Sequence, residues 1–225
     1  MSSVPTTLPL LCLPDRVHFP GATMEVRLEA ATDQGLIREL QLKAPEDRRL
    51  GIVLPLAEGG EPSGSPLFPI GTVARVVALE AEEGAAWTLR LQGLCRFEIQ
   101  EEMGEGRFRR ARVETLEEPF FADDESWVRR LKERIGQRLL EAHRALGEAF
   151  PLAGDELAAL LEGSFEALVD QTAQSLDIPT ERKLELLQEP LSERAREVLG
   201  ILRSQVKLME LLAPYRHLAS GAEMN

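Results

Sequence analysis

The spacing of apolar residues changes once along the chain, near Glu118. Before that point, short apolar runs and strict alternation of apolar with polar positions predict β-strands, because side chains alternate between the two faces of a strand. After it, apolar residues recur every three or four positions, which is the period of an α-helix. The change predicts two lobes, a β-rich lobe over residues 1–118 and a helical lobe over residues 119–225.

The front lobe is expected to form a closed or partly closed barrel of about six or seven strands. Its strands are predicted at Leu8–Leu13, Met24–Leu28, Gly51–Leu56, Ile70–Leu79, Trp87–Leu91, Phe97–Ile99 and Ala111–Val113. One helix is expected over Asp33–Leu42, where Leu36, Ile37 and Leu40 share a face. The segment Ala57–Pro69 is rich in glycine, proline and serine, so an exposed loop is expected there.

The back lobe carries about four apolar stripes at helical spacing. They run over residues 127–146, 157–169, 180–188 and 191–212. Pro151, Pro179 and Pro190 separate them, since proline ends a helix or begins a new one. We interpret the stripes as helical core rather than as a groove for a partner.

Several motifs resemble the N-terminal substrate-recognition domain of the Lon protease family. In the front lobe they are LPLLCLP (Leu8–Pro14), VHFPG (Val17–Gly21), IGTVARVV (Ile70–Val77) and LQGLCRF (Leu91–Phe97). In the back lobe, LDIPTERKLELLQEPLSERAREVL (Leu176–Leu199) is similar to the family segment in which a short helix precedes a long one. The resemblance covers nearly the whole chain, in the order that the family has.

The resemblance implies an α+β fold, in which a PUA-like pseudo-β-barrel with one inserted helix precedes a C-terminal bundle of about four helices. It also implies a stand-alone, non-catalytic module that binds unfolded or tagged polypeptide, as an adaptor or decoy for a protease. Two alternatives stay open. One is a PUA-like protein that binds RNA or a small ligand, and the other is an unrecognised hydrolase.

The residue patterns of nucleotide and serine-nucleophile chemistry are absent from the sequence. No lysine follows a glycine, so there is no GxxxxGK[ST] phosphate loop, and no GxSxG elbow occurs. The Lon family's serine–lysine protease domain has no counterpart here. His18, His143 and His217 are scattered without ligand spacing. We expect no enzyme activity, no cofactor and no metal, although a catalytic triad assembled from distant positions stays open.

The net charge of −12 disfavours nucleic acid and anionic membranes as partners. One local basic cluster lies in a predicted strand, at Arg107, Arg109, Arg110 and Arg112. We interpret it as an edge strand whose charges pair with neighbouring acids, while an RNA surface is the alternative. Cys12 and Cys95 are expected to be small buried thiols. Without a signal peptide or membrane span in the sequence, the expected location is the cytoplasm.

Apolar residues near predicted loops are the candidates for binding polypeptide, because a rigid scaffold displays function on its loops. These residues are Phe19, Pro20, Leu67, Phe68, Phe120 and Phe121. Their alternative role is to seal the ends of the barrel. The expected partners are flexible polypeptide segments, with a protease as a second partner.

Overall fold

The computed structural model of the protein describes residues 6–56, 65–82, 86–103, 108–118 and 125–212. The expected α+β class is confirmed. The strands are β1 (Thr7–Cys12), β2 (Thr23–Glu29), β3 (Arg49–Val53), β4 (Ile70–Ala81), β5 (Ala86–Met103) and β6 (Arg110–Thr115). The helices are α1 (Ala30–Leu42), α2 (Ser126–Leu146), α3 (Gly154–Glu162), α4 (Phe165–Ser175), α5 (Thr180–Gln188) and α6 (Leu191–Leu212).

The sheet closes on itself because β6 pairs with two strands. It runs antiparallel to β1, with Leu8 opposite Ala111, and antiparallel to β5, with Ile99 opposite Val113. Strands β4 and β3 complete the ring, and β1 lies parallel to β3. Strand β2 pairs with the first half of β5. The two predicted strands at Trp87–Leu91 and Phe97–Ile99 are one continuous strand of 18 residues.

Glycines make room for the largest apolar side chain of the barrel. Phe97 is fully buried. A Cβ at Gly51 would lie 2.7 Å from its ring carbon Cζ, and a Cβ at Gly71 would lie 2.9 Å from the same atom. Helix α1 contributes Leu36, Ile37 and Leu40 to a second apolar cluster of the barrel. Both clusters are apolar throughout, as expected of the main source of folding stability.

The described residues divide into two compact units. Met1–Glu118 together with Ile178–Gln188 form one, called here the barrel unit, and Pro119–Asp177 together with Glu189–Asn225 form the other, the helical unit. Helix α5 therefore belongs with the barrel, whereas the sequence pattern assigned it to the helical lobe. Arg96 of β5 explains the difference, because its Nη1 donates a 2.7 Å hydrogen bond to the carbonyl oxygen of Leu187 in α5.

The helical unit contains α2, α3, α4 and α6. The second predicted stripe, over residues 157–169, is divided between α3 and α4. Ser164 causes the division, since its Oγ accepts a 3.2 Å hydrogen bond from the N–H of Ala167 and caps the start of α4. The stripe of α2 enters the core through Ile135, Leu139 and Ala142.

Candidate polypeptide-binding surface

The loop between β3 and β4 is held at its base by a short two-stranded ladder. Leu54–Leu56 runs antiparallel to Pro66–Phe68, with Pro55 opposite Leu67. The N–H of Leu56 donates to the carbonyl of Pro66 at 2.7 Å, and the N–H of Phe68 donates to that of Leu54 at 3.0 Å. These six residues are called the loop stem below. Their pairing gives the stem a fixed backbone, because each strand supplies hydrogen bonds to the other.

The pairing places four apolar side chains on one face of the loop stem. Residues directly opposite each other in an antiparallel ladder share a face, and their chain neighbours point the other way. Leu54, Leu56, Pro66 and Phe68 therefore share one face. Leu54 is buried and Phe68 half-buried, whereas Pro66 is exposed and Leu56 is 52% exposed. The result is an accessible apolar face anchored on buried residues.

Leu67 of the loop stem and the adjacent Ser65 hold the stem against the barrel. Leu67, on the opposite face, is buried in the apolar cluster that contains Phe97. Next to the stem, the carbonyl of the buried Ser65 accepts a 2.7 Å hydrogen bond from Nη1 of Arg109. These contacts fix the position of the exposed residues, so a ligand would meet a largely preformed surface.

Three of the four predicted binding residues that the structure describes do not lie on an accessible surface. Phe19 has no exposed area, Pro20 is buried, and Leu67 is 8% exposed, so the expectation of an exposed surface at these three residues is wrong. Phe68 is the described residue of the set that stays accessible. Phe120 and Phe121 lie outside the described residues. Sequence reasoning missed Leu56, which the alternation of apolar residues on either side of Pro55 could have indicated.

The predicted arginine cluster is paired with acids, which confirms that interpretation for the described arginines. Arg109 pairs with Glu102, Arg110 with Glu39, and Arg112 Nη2 lies 3.1 Å from Glu101 Oε2. The prediction that this strand lies at the edge of the sheet is wrong, since β6 pairs with β1 on one side and β5 on the other. Arg107 lies outside the described residues. Because the arginine charges are matched, this strand offers little attraction to RNA.

Two groups of the kind that act as a base or a nucleophile, His18 and Cys12, have pKa values shifted by burial. His18 is 1% exposed, and burial lowers its pKa to about 4. The pKa of the Cys12 thiol is raised, and burial is the largest cause. The positive charge of Arg109 acts in the opposite direction and lowers it. Cys12 and Cys95 are free, half-buried thiols. A protonated thiol and a buried imidazole favour structural roles over catalysis.

Within the described ranges, His, Cys, Asp and Glu side chains form no group of three that could hold a metal ion. Among the same residues, no helix has the length and apolar character needed to cross a membrane.

Comparisons with known proteins match this architecture. The family model of the ATP-dependent protease La (LON) substrate-binding domain covers residues 7–204. The Lon protease of Anaeromyxobacter dehalogenans is 29% identical over 213 residues, which is 92% of this chain and 24% of that protein. Lon protease 2 of Myxococcus xanthus is 28% identical, over 92% of this chain and 25% of its own length. The chain thus spans about a quarter of these relatives.

Two solved structures share the fold. The N-terminal domain of the Mycobacterium avium complex Lon protease aligns with a TM-score of 0.67 at 20% identity, covering 88% of this chain and 98% of that one. A Lon N-terminal domain protein from Xanthomonas campestris gives a TM-score of 0.58 at 22% identity, covering 87% and 98%. At these identities the likeness concerns the fold.

Proposed function

Since the chain belongs to the ATP-dependent protease La (LON) substrate-binding domain family, we propose that it binds unfolded or tagged polypeptide through the apolar face of the loop stem. The observation that carries this proposal is the pair of accessible side chains, Leu56 and Phe68, on a backbone fixed by the ladder. Extended apolar segments of an unfolded chain bury their own side chains by contact with such a face. The role is recognition without chemistry, as an adaptor or decoy for a protease.

The size of the surface sets a weak affinity. Leu56 and Phe68 are already partly buried, so covering the rest contributes about half of the 1.5–3 kcal/mol that full burial of each side chain gives, or roughly 1.5–3 kcal/mol together. Association entropy and the ordering of the ligand offset most of this gain. Micromolar or weaker binding follows, and avidity or a tethered protease would be needed to make it effective.

The proposal is tested by titrating a labelled, permanently unfolded protein against the wild-type chain and a Leu56→Ser/Phe68→Ser variant. The variant should bind at least about fivefold more weakly, because two apolar contacts are lost. The matched control is Leu42→Ser/Val77→Ser, which removes exposed apolar residues (80% and 46% exposed) elsewhere on the barrel unit. Its affinity should match the wild type.

Equal affinity of the folded Leu56→Ser/Phe68→Ser variant and the wild type would place binding elsewhere. Absence of wild-type binding at about 100 μM, well above the expected micromolar range, would contradict the proposed function itself.

The non-catalytic part of the proposal predicts that ATP leaves the thermal stability unchanged. None of Lys43, Lys132, Lys183 and Lys207 follows a glycine, so the backbone cradle and lysine of a phosphate loop are missing. A melting experiment with millimolar Mg-ATP should shift the midpoint by less than about 1 °C, since a ligand stabilises only the state that it binds. A rise of several degrees would refute this expectation.

A further inference from the structure

A groove in the helical unit is lined by two facing rows of residues, one from α2 and one from α6. Its volume is about 380 Å³. The lining residues are Trp127, Arg130, Leu131 and Arg134 of α2, and Arg196, Leu199, Gly200 and Arg203 of α6. This surface is called the arginine groove.

Both rows have the same spacing. In each row the four lining residues stand at positions i, i+3, i+4 and i+7. Residues at these separations lie on one face of a helix. The two rows together bring four arginines around an apolar floor. The sequence interpretation assigned Trp127 and Leu131 to the core, whereas both are half-buried here and face the groove.

Three of the four arginines of the groove have no acidic partner among the described residues. Arg130, Arg134 and Arg203 are exposed and make no hydrogen bond or ion pair with another residue in the described part of the chain. Arg196 pairs with the exposed Glu193, Nη1 to Oε1, at 2.5 Å. The described residues that line the groove include no acid, and the acid beside Trp127 is Glu125, whose Oε2 accepts a 2.6 Å hydrogen bond from the indole N–H. This concentration of cations contrasts with a net charge of −12 and with the acid-paired arginines of β6.

The floor of the groove offers apolar contact and free space. Leu199 is 5% exposed and forms a base that is continuous with the core of the helical unit. A Cβ added at Gly200 would meet no heavy atom within 4 Å, so the position above this glycine is open. A ligand side chain can therefore enter the groove and contact Trp127 and the leucines, while the arginines surround it.

We propose that the arginine groove binds an acidic segment of polypeptide, in which Asp or Glu side chains pair with the arginines and an apolar side chain contacts the floor. Guanidinium groups match carboxylates in geometry as well as charge. A nucleic acid fits less well, since a polyanion with a charge at every unit is repelled by the acidic body. The site lies in the other unit from the loop stem and does not depend on it.

The test is a binding titration with short peptides that carry a neutral dye and contain paired glutamates separated by single leucines. A first comparison peptide has lysine in place of glutamate, and a second has serine in place of leucine. The glutamate–leucine peptide should bind best, the serine peptide several-fold more weakly, and the lysine peptide not detectably. Raising the salt from about 50 to about 300 mM should weaken binding, because exposed charges are screened.

Matched variants locate the site. Arg130→Glu/Arg203→Glu should weaken the binding of the glutamate–leucine peptide by at least about tenfold, because two attractive charges become repulsive. Arg38→Glu/Arg144→Glu changes two exposed arginines outside the groove by the same total charge, and Arg144 lies ten residues, or about 15 Å, beyond Arg134 along α2. It should stay within about threefold of the wild type, since distant exposed charges are screened. Gly200→Leu fills the open position and should weaken binding without changing charge.

Equal losses in the two charge variants would overturn the groove as the site, as would unchanged binding in Arg130→Glu/Arg203→Glu. Failure of the wild type to bind the glutamate–leucine peptide would also overturn it. Tighter binding of a single-stranded oligonucleotide, lost in the same variant, would replace the proposal with a nucleic-acid site. Leu56→Ser/Phe68→Ser should bind the acidic peptide like the wild type, so failure of one site is distinguishable from failure of the other.

Discussion

Gly21 and Gly93 hold the tight turn that leads into β2. Gly21 has a φ of 76°, and the N–H of Ala22 donates a 3.3 Å hydrogen bond to the carbonyl of Phe19. With Pro20 at its second position and Gly21 at its third, the turn is of type II. Gly93 lies against this turn, with its N–H donating to the carbonyl of Ala22 at 2.9 Å. A Cβ at Gly93 would lie 2.3 Å from the carbonyl oxygen of Phe19. The two motifs FPG and LQGLCRF are thus neighbours in space.

Gly93→Ala should destabilise the barrel unit by at least about 2 kcal/mol, because backbone, not a flexible side chain, occupies the space. Gly200→Ala is the control, since open space lies above that glycine and alanine favours a helix by roughly 1 kcal/mol. Urea unfolding gives both values. A Gly93→Ala protein as stable as the wild type would show that the turn moves away without cost.

His18 makes the stability of the barrel unit depend on pH. Both ring nitrogens are buried without a hydrogen-bond partner among the described residues. Burial lowers the pKa from the ordinary 6.5 to about 4. As the pH falls, His18 therefore binds a proton in the unfolded chain before it does so in the folded one. The contribution of the neutral His18 to folding stability is full above about pH 6.5 and is lost progressively as the pH falls from there to about pH 4.

Between about pH 7.5 and about pH 5.5, the wild type should lose about 1–2 kcal/mol more of its unfolding free energy than His18→Leu. Leucine has no titratable group, so carboxylates common to both proteins cancel in the difference. The measurement is urea unfolding of both proteins at both pH values. Parallel pH profiles would mean that His18 is not held in its neutral form.

At the scale of elements, buried arginines connect pieces that are distant in sequence. Arg194 of α6 has no exposed area and pairs with Asp170 of α4, which is 1% exposed. Its Nη2 also donates to the carbonyl of Glu189 at 2.9 Å. In the barrel unit, Arg96 pairs with Glu118 and donates to Leu187. These arginines fix helix positions that the apolar stripes alone leave open.

Arg194→Leu should cost the helical unit about 3–5 kcal/mol, because the carboxylate of Asp170 stays buried after losing its cation. The Arg194→Leu/Asp170→Leu protein should lose less, since no charge is then left inside. Arg196→Leu breaks an exposed pair and should change stability by under about 1 kcal/mol. Trp127 fluorescence in a Trp87→Phe background follows unfolding of this unit, since the chain has two tryptophans. Similar losses in the single and double Leu variants would contradict the charge explanation.

Periodicity and motifs predicted most of the elements, because alternation and helical stripes report which faces are buried. The order of the strands around the barrel was not predictable in this way, since it depends on pairings such as Leu8 with Ala111. The same applies to α5, whose apolar residues suit either unit until the bond from Arg96 is known. Phe19 illustrates the limit for sites, because proximity to a turn does not distinguish an exposed ring from a buried one.

At the scale of the whole molecule, the structure contains two units with different candidate surfaces. The barrel unit presents the apolar face of the loop stem, and the helical unit presents the arginine groove. The two surfaces differ in chemistry, since the first is apolar and the second is cationic around an apolar floor. That the chain forms two lobes with a boundary near residue 118 stays a prediction.

The most direct test of the central claim is photo-crosslinking from a benzophenone amino acid placed at residue 56. Residue 42, which is 80% exposed, serves as the control position on the same unit. With an unfolded polypeptide present, residue 56 should form crosslinks that an excess of unlabelled unfolded polypeptide suppresses, and residue 42 should form few. Crosslinking at residue 42 equal to that at residue 56, or none at residue 56, would contradict binding at the loop stem.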